Sequence, residues 1–380
     1  MTETFRYDEL TWPEVEALPR DVPLLLPLAS SFDSARGAAA LGYPPRLGVL
    51  PSFPFGWCGS GLAVSPSLLS PCLTNLLDGL HQDGFTRLYV FAPAEAGLDI
   101  PYPILNDESL LPSMAPLPPD SAQDKVILIP IGHTEQHGLH LPLLVDTIII
   151  EAIAQGTVAR LPRLAYALPV MPYGVSTHRT SFSGTLNVGG RAFEDFWLGV
   201  IEALVERGFD RFYFLSGHGG NMSFLVNVVK YAGERHRRIF CATAFLHTAG
   251  RLGAAALERY RTSPIGGMGH AGELETSYLL YLRPDLCHME RVVDEMDFIS
   301  TPDYYMDWIE GGSLIANPPW EDDTRSGAYG AGSHAAAEKG RLWLEVAIEE
   351  KVDHVLQIHE QHRRREERRR SGWGRWEKRL

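Results

Sequence analysis

Short aliphatic and β-branched runs alternate with longer stretches of helical periodicity along most of the chain. The run "VILIPIG" (126–132) is almost wholly apolar, which is typical of a strand buried on both faces of a parallel sheet. The stretch 191–208 instead places Phe193, Phe196, Trp197 and Val200 at helical spacing, with Gly208 as a candidate C-cap. This alternation predicts an α/β fold built in layers.

Two further strands are predicted at 163–174 and 209–216, and a helix at 147–161. Polar stretches rich in histidine or glycine follow the first and third strands: "GHTEQHGLHLPLLVDT" (132–147) and "GHGGN" (217–221). Functional groups on open α/β sheets gather where strands end in loops. Both polar stretches are therefore candidate parts of one site.

The first third of the chain resembles a shortened copy of the part that follows it. Three pairs of segments match: 84–97 with 208–221, 22–34 with 125–137, and 47–56 with 165–174. Phe32, Ser34 and Ala94 stand at the positions of Glu135, His137 and His218. The pattern predicts an internal duplication that kept the hydrophobic skeleton and lost the polar residues.

The predicted organisation has four parts. They are a degenerate half at 1–108, a Pro- and Ser-rich linker at 109–124, a catalytic domain at 125–358 and a basic tail at 359–380. Arg363–Leu380 carries nine Lys/Arg against three Glu, which favours a solvated helix extension or a docking tail for an acidic partner.

The net charge and the cysteine pattern argue against several classes of protein and of metal site. A net charge of −13 argues against nucleic-acid binding through the main body. Four scattered cysteines without CxxC spacing exclude a disulfide framework and a cysteine zinc site. No apolar run reaches membrane-spanning length, and the acidic N-terminus lacks a signal-peptide pattern, so a cytoplasmic protein without membrane contact is expected.

The candidate chemistry rests on carboxylates and imidazoles that follow predicted strands or begin a predicted helix. They are Glu135, His137, Asp146, His218, His270 and Glu275. Carboxylates with imidazoles and no thiolates suit Zn²⁺, Mn²⁺ or Fe²⁺, and the set is large enough for two ions. His140 is predicted to be a packing residue, and Glu273 is predicted to be the solvated partner of a nearby base.

Four motifs carry a resemblance to a known family. In order they are "PIGHTEQHGLHLPLLVDT" (130–147), "PYGVSTHRTSFSGTLNV" (172–188), "SGHGGN" (216–221) and "HAGELETS" (270–277). Together they resemble the signature blocks of the creatininase family, the creatinine amidohydrolases and their relatives, and the similarity runs from about residue 125 to 355.

The resemblance implies a three-layer α/β/α fold, a homo-oligomer and a dinuclear centre with Zn²⁺ as the first choice and Mn²⁺ or Fe²⁺ as alternatives. Carried over by position, Glu135, Asp146 and His218 hold one ion, and His137, a bridging Asp146 and Glu275 hold the other. Glu275 is assigned because Gly220 stands where creatininase itself has its further carboxylate.

Several remaining positions also take roles from the resemblance. His270 matches the histidine that assists proton transfer, and Glu275 is counted with it as catalytic. The backbone at Gly219 and Gly220, together with His178, is expected to contact the substrate or the developing oxyanion. His133 stands where the family usually has a small residue, and it adds either a polar contact or a misplaced ligand.

The leading hypothesis is an amidohydrolase that cleaves a C–N amide bond of a small molecule with a metal-activated hydroxide. No tryptophan precedes His270, as it does in creatininase, so creatinine itself is not the expected substrate. One alternative is a metallopeptidase that trims a short biosynthetic precursor peptide. The other is a catalytically inactive scaffold or binding protein. The aromatic stretch 296–320 is expected to form either a substrate wall or an ordinary packed loop.

Overall fold

The computed structural model describes residues 2–106, 115–177, 181–246, 250–305, 307–309 and 311–372. Within them, the strands are β1 (Glu3–Arg6), β2 (Leu24–Pro27), β3 (Arg46–Val49), β4 (Leu88–Ala92), β5 (Ile104–Asn106), β6 (Val126–Ile131), β7 (Ala165–Ala167), β8 (Arg211–Ser216) and β9 (Phe240–Phe245).

The α-helices of the same residues lie between and after these strands. They are α1 (Trp12–Glu16), α2 (Ser34–Ala40), α3 (Pro66–Gln82), α4 (Val145–Arg160), α5 (Gly190–Glu206), α6 (Met222–Arg235), α7 (Arg251–Tyr260), α8 (Glu273–Leu282) and α9 (Ala337–Arg370). None of the described helices is both long and apolar enough to cross a membrane.

Two parallel sheets organise the molecule, as the alternating pattern predicted. The first has the order β1-β3-β2-β4-β5 and the second has the order β7-β6-β8-β9. Every residue of β6 is buried, which explains its unbroken apolar sequence. The α/β fold with helices packed on parallel sheets is therefore confirmed.

Helix α5 shows how local sequence sets the element boundaries. Its apolar residues at helical spacing form the buried face, including Phe196 and Trp197. The helix ends at Glu206, and Gly208 follows with a φ of 89°, a left-handed conformation that glycine adopts without a steric penalty. The N–H of Gly208 bonds to the Val205 carbonyl at 2.9 Å, so this glycine closes the helix end, as predicted.

The two sheets share strand order and register. The series β3-β2-β4-β5 in the first has the same connectivity as β7-β6-β8-β9 in the second. Leu24 pairs with Leu88, and Ile127 pairs with Phe212. The segment matches found in the sequence place these two pairs at equivalent positions, and α3 and α5 each span 17 residues.

The two halves share one hydrophobic core, which contains buried residues from both sheets and from α3 and α5. Phe53 stacks on Tyr173 with ring centroids 5.8 Å apart and meets Phe196 edge-on at 5.5 Å. The side chain of Asn75 on α3 donates to the Val188 carbonyl at 2.7 Å, just before α5 begins. This core therefore depends on residues of both halves, whereas a second cluster is built from residues within 126–358 alone.

The basic C-terminal region continues α9 as far as Arg370. Its arginines pair with glutamates one turn away, for example Arg363 with Glu360 at 2.8 Å. Arg369 reaches the Arg237 carbonyl at 3.0 Å, so this helix end also touches the loop before β9. Residues 109–114 of the predicted linker and 373–380 of the predicted tail lie outside the described residues.

Removal of residues 2–116 is expected to leave an aggregated protein, because Phe193, Phe196 and Trp197 on α5 would lose the residues that cover them. The soluble fraction and size-exclusion profile measure this. Removal of residues 363–380 is the control and should leave solubility unchanged, because the described part, 363–372, lies mostly at the surface. A soluble, active protein without residues 2–116 would contradict the shared-core interpretation.

Candidate metal centre

The loop after β6 carries the first two candidate ligands. Gly132 allows the loop to start close to α4, since a Cβ there would lie 2.4 Å from the Thr147 backbone. Glu135 and His137 project toward the same point, with Nε2 of His137 4.0 Å from Oε1 of Glu135. Both side chains are fully buried.

Asp146 lies in the first turn of α4 and faces two histidines at once. Its Oδ1 is 3.2 Å from Nε2 of His137, and its Oδ2 is 3.2 Å from Nδ1 of His218. Each oxygen of one buried carboxylate therefore faces a different imidazole. This is the geometry of a carboxylate that can bridge two ions.

His218 follows β8 in a turn where two glycines permit close contacts. A Cβ at Gly217 would lie 2.3 Å from the Asp146 carbonyl, and a Cβ at Gly220 would lie 2.4 Å from the His218 ring. The turn brings His218 Nδ1 to 3.0 Å from Oε1 of Glu135. The "SGHGGN" sequence thus sets how closely β8 and α4 approach at the centre.

Glu275 and His270 come from the start of α8 and the turn before it. Ala271 has a φ of 52°, a conformation uncommon outside glycine, and its N–H donates to Oε2 of Glu275 at 2.6 Å. The same oxygen lies 3.7 Å from Nε2 of His137 and 3.7 Å from Nδ1 of His270. The turn orients the third carboxylate toward the first two.

Backbone carbonyls fix the tautomers of the three histidines. His137 Nδ1 lies 3.0 Å from the Glu135 carbonyl, His218 Nε2 lies 3.0 Å from the Val175 carbonyl, and His270 Nε2 lies 2.7 Å from the Gln136 carbonyl. A carbonyl only accepts, so each of these nitrogens carries hydrogen. The other nitrogen of each ring faces the centre and presents a lone pair there whenever the ring is neutral.

The buried charges shift the protonation of the metal-free site. Burial lowers the pKa of His218, but Glu135 and Asp146 outweigh it and raise that pKa from 6.5 to about 9. The pKa of His137 is also raised, because Asp146, Glu275 and Glu135 together outweigh its burial. Burial alone would raise the pKa of Asp146, but His137 and His218 hold it below its ordinary value.

The donor set fits divalent cations. Three overlapping groups each place their ligand atoms within 4.8 Å of one another: His133, Glu135 and His218; Glu135, His137 and His270; His137, Asp146 and Glu275. The three carboxylates are at most 2 % exposed. Buried carboxylates at this density need positive charge nearby, which a cation supplies.

The other residues singled out in the sequence fall in different places. His178 lies outside the described residues. His140 is buried, with its Nε2 3.0 Å from the Thr276 hydroxyl, and it faces no carboxylate of the centre. Glu273 pairs with a base, Lys339, but it is buried rather than solvated, and it accepts the N–H groups of Thr262 and Ser263. The expectation of a solvated Glu273 was therefore wrong.

The aromatic stretch 296–320 reaches the centre at two points. Trp320 is 2 % exposed and its ring centroid lies 5.0 Å from that of His270. The Trp308 indole lies 3.1 Å from where a Cβ on Gly219 would stand, and it meets Phe245 edge-on at 5.3 Å. Both tryptophans border the candidate ligands.

Two supporting residues were missed in the sequence. Asn221 accepts the Val175 N–H at 2.9 Å and donates to the Gly132 carbonyl at 3.2 Å, so it joins the loops after β6, β7 and β8. The side-chain amide of Gln136 donates to the Gly327 carbonyl at 2.8 Å. The backbone carbonyl of Gln136 accepts the Nε2–H of His270. The asparagine that ends "SGHGGN" was a visible signal. Nothing in the sequence marked Gln136.

Comparison with known proteins places this centre in a family. Residues 117–355 match the family model for creatininase, described as creatinine amidohydrolase. The chain belongs to the creatininase family. This match covers most of the predicted catalytic domain and confirms the resemblance carried by the four motifs.

Relatives with different substrates share this family. A mycofactocin precursor peptide peptidase of Mycobacterium ulcerans is 35% identical over 180 residues, 44% of this chain and only 62% of that relative. The creatinine amidohydrolase of Pseudomonas putida is 26% identical over 248 residues, 62% of this chain and 90% of that protein. The 3-dehydro-scyllo-inosose hydrolase of Thermotoga maritima is 29% identical over 244 residues, 60% of this chain and 75% of that protein.

Solved structures of creatininases have a fold similar to that of this chain. A crystal structure of creatinine amidohydrolase superposes with a TM-score of 0.53 at 26% identity, covering 63% of this chain and 92% of that one. A zinc–zinc form of a mutant creatininase gives 0.53 at 25% identity, covering 62% and 92%. About 62–63% of this chain thus matches 92% of each creatininase chain.

Metal binding to the metal-free protein is expected to release at least one proton per chain at pH 7. His218, with a pKa of about 9, is protonated there and must lose its proton to become a ligand. The raised pKa stabilises the metal-free fold fully below about pH 6.5, and this contribution is lost as the pH rises through about 9.

Calorimetry of Zn²⁺ binding in two buffers with different ionisation enthalpies counts the released protons. His218→Asn should lower the count. His140→Asn is the control and should not, because burial lowers the pKa of His140 to about 4 and leaves it neutral at pH 7. A count of zero for the unaltered protein would contradict the assignment.

Proposed function

We propose that this hydrolase cleaves a C–N amide bond with two divalent cations, held by Glu135, Asp146 and His218 on one side and by His137, Asp146 and Glu275 on the other. One observation carries the proposal. The two oxygens of buried Asp146 face two histidines, whose nitrogens on this side become available as ligands once they lose their protons. Zn²⁺ is the first choice of metal, with Mn²⁺ or Fe²⁺ as alternatives.

When bound, such cations polarise a carbonyl and lower the pKa of water so that a nucleophile exists near neutral pH. The protein residues orient the substrate and move protons. His270 keeps Nε2–H on the Gln136 carbonyl, which leaves Nδ1, 3.7 Å from Glu135 and from Glu275, to carry a proton. We assign it the protonation of the departing nitrogen, because an amide nitrogen leaves poorly as an anion.

Glu275 is assigned a second role beside metal binding. Its Oε2 lies equally close to His137 and His270, so a proton can pass between the centre and His270 along this carboxylate. The backbone of Gly219 and Gly220, in the turn that follows His218, is proposed to donate to the developing oxyanion. His178 is proposed to contact the substrate, as the family resemblance implies.

The enclosure of the centre favours a small amide. Glu135, His137, Asp146, His218, His270 and Glu275 are all at most 2 % exposed, and Trp320 packs beside His270. A peptide needs an open groove beside the ligands. The second candidate, a peptidase acting on a short precursor peptide, is supported by the 35% identity to mycofactocin precursor peptide peptidases.

The first half is proposed to be a degenerate copy that acts as a packing partner. Its equivalent positions carry Phe32, Ser34 and Ala94 instead of ligands, while strand order and register match the second half. Helices α3 and α5 occupy equivalent positions and pack on each other, as matching helices do in a two-fold interface. The copy would then cover a face that simpler relatives cover with a second subunit.

Elemental analysis tests the metal assignment. The protein purified without chelators and resupplied with metal is expected to hold about two equivalents of Zn²⁺, Mn²⁺ or Fe²⁺ per chain, and Asp146→Asn less than about one, because the bridging carboxylate contributes to both ions. Asp285→Asn removes an exposed carboxylate paired with Arg283 and is the matched control. Less than half an equivalent in the unaltered protein would leave the scaffold hypothesis instead.

A substrate panel separates the two hydrolase candidates. The metal-loaded protein is expected to hydrolyse small amides or formamides and to leave short peptides intact, because the centre is enclosed. Asp146→Asn should lose activity and Asp285→Asn should keep it. Release of C-terminal residues from short peptides, with no turnover of small amides, would favour the peptidase.

A further inference from the structure

His133 belongs to one of the groups that could hold a metal ion, and it is the residue whose role the sequence left open. One of its ring nitrogens lies within 4.8 Å of a Glu135 carboxylate oxygen and of a His218 ring nitrogen. The His133 ring lies over the His218 ring with centroids 4.4 Å apart and planes tilted by 31°. Proximity alone would make it a third imidazole ligand beside Glu135 and His218.

A hydrogen bond to the Nδ1 atom of this ring argues against a role as a metal ligand. The backbone N–H of Gly174 donates to Nδ1 of His133 at 2.9 Å. A backbone N–H only donates, so Nδ1 holds a lone pair that is already in use, and the ring is not doubly protonated. A neutral imidazole then carries its hydrogen on Nε2, and neither nitrogen has a lone pair to offer a cation.

The other histidines of the centre show the opposite arrangement. His137, His218 and His270 each donate to a backbone carbonyl, so the remaining nitrogen of each presents a lone pair when the ring is neutral. His133 accepts from a backbone amide, so its remaining nitrogen presents N–H. A ring nitrogen of His133 lies within 4.8 Å of ligand atoms of Glu135 and His218, so this residue borders the centre.

We propose that His133 is a hydrogen-bond donor to an oxygen atom of a ligand bound at the centre, such as a substrate carbonyl or a product carboxylate, and not a metal ligand. The inference rests on the proposed function, because it assumes that cations occupy the centre. A buried neutral donor beside the ligands stabilises oxygen that gains negative charge, without adding a net charge of its own.

Two variants separate the roles. His133→Gln keeps an amide N–H near the position of Nε2 but has no imidazole, and His133→Leu keeps bulk without a donor. His140→Leu is the matched control, since His140 is equally buried but has its Nε2 on the Thr276 hydroxyl and belongs to none of the groups that could hold a metal ion among the described residues. The probes are Co²⁺ alone, followed by its absorption spectrum, and then acetate added to the Co²⁺-loaded protein.

The proposal expects Co²⁺ affinity within about threefold of the unaltered protein and an unchanged Co²⁺ spectrum in both His133 variants, since no ligand is lost. Acetate affinity should fall by about tenfold in His133→Leu and by less than about threefold in His133→Gln, as for loss and retention of one hydrogen bond. His140→Leu should change neither.

Other results overturn the proposal in distinguishable ways. A changed Co²⁺ spectrum with a loss of affinity of about 100-fold or more in His133→Gln would make His133 a ligand. Unchanged acetate affinity in His133→Leu would make it a packing residue. Failure of the unaltered protein to bind Co²⁺ would overturn the proposed function, and this inference with it.

A direct measurement covers the case in which His133→Leu does not fold. Long-range ¹H–¹⁵N spectra of the Zn²⁺-loaded protein, labelled at histidine and compared with His133→Gln, identify the His133 signals. Hydrogen on Nε2 supports the proposal, and hydrogen on Nδ1 with a metal-shifted Nε2 overturns it.

Discussion

The burial of three carboxylates against each other is the constraint on which the rest of the structure depends. Glu135, Asp146 and Glu275 come from three separate elements and are almost completely removed from water. Their mutual repulsion would oppose folding unless positive charge were present. In the metal-free protein, protons on His137 and His218 supply part of it, and divalent cations would supply it more strongly. The same residues therefore link folding, protonation and metal binding.

The backbone group that each imidazole bonds to determines whether its other nitrogen can bind a metal ion or donate a hydrogen bond. Three histidines donate to carbonyl groups and present lone pairs when neutral, while His133 accepts from an amide and presents N–H. These partners lie in loops that follow β6 and β7 and are tied together by Asn221. A shift of one of these loops would bring a backbone amide to an imidazole in place of a carbonyl, or the reverse, and so would change the tautomer of that imidazole. The tight glycine contacts at Gly132, Gly217 and Gly220 therefore matter as much as the ligands.

The first half contributes to the centre through packing and through backbone hydrogen bonds. The carbonyls of Leu10 and Asp8 accept the N–H groups of Leu143 and Leu144, just before Asp146. The aromatic residues of the first half cover α5, and α5 in turn packs beneath the sheet that carries Glu135 and His218. A unit without ligands can serve in this way because core packing depends on shape and apolar area, whereas the centre depends on particular atoms. Phe53 and Phe55 of the first half lie in this core, while Phe32 and Ala94 stand at the positions that the sequence matches pair with Glu135 and His218.

The sequence by itself determined the α/β class, the order of the main elements, the family and the residues that converge, because hydrophobic periodicity and motif spacing are local properties. It could not determine that Glu273 is buried against Lys339, that Trp320 packs on His270 or that Gln136 holds that histidine, because these contacts join residues distant in the chain. His133 shows the limit most clearly. Its residue type allowed ligand or donor, and only the amide of Gly174, 41 residues away, selected between them.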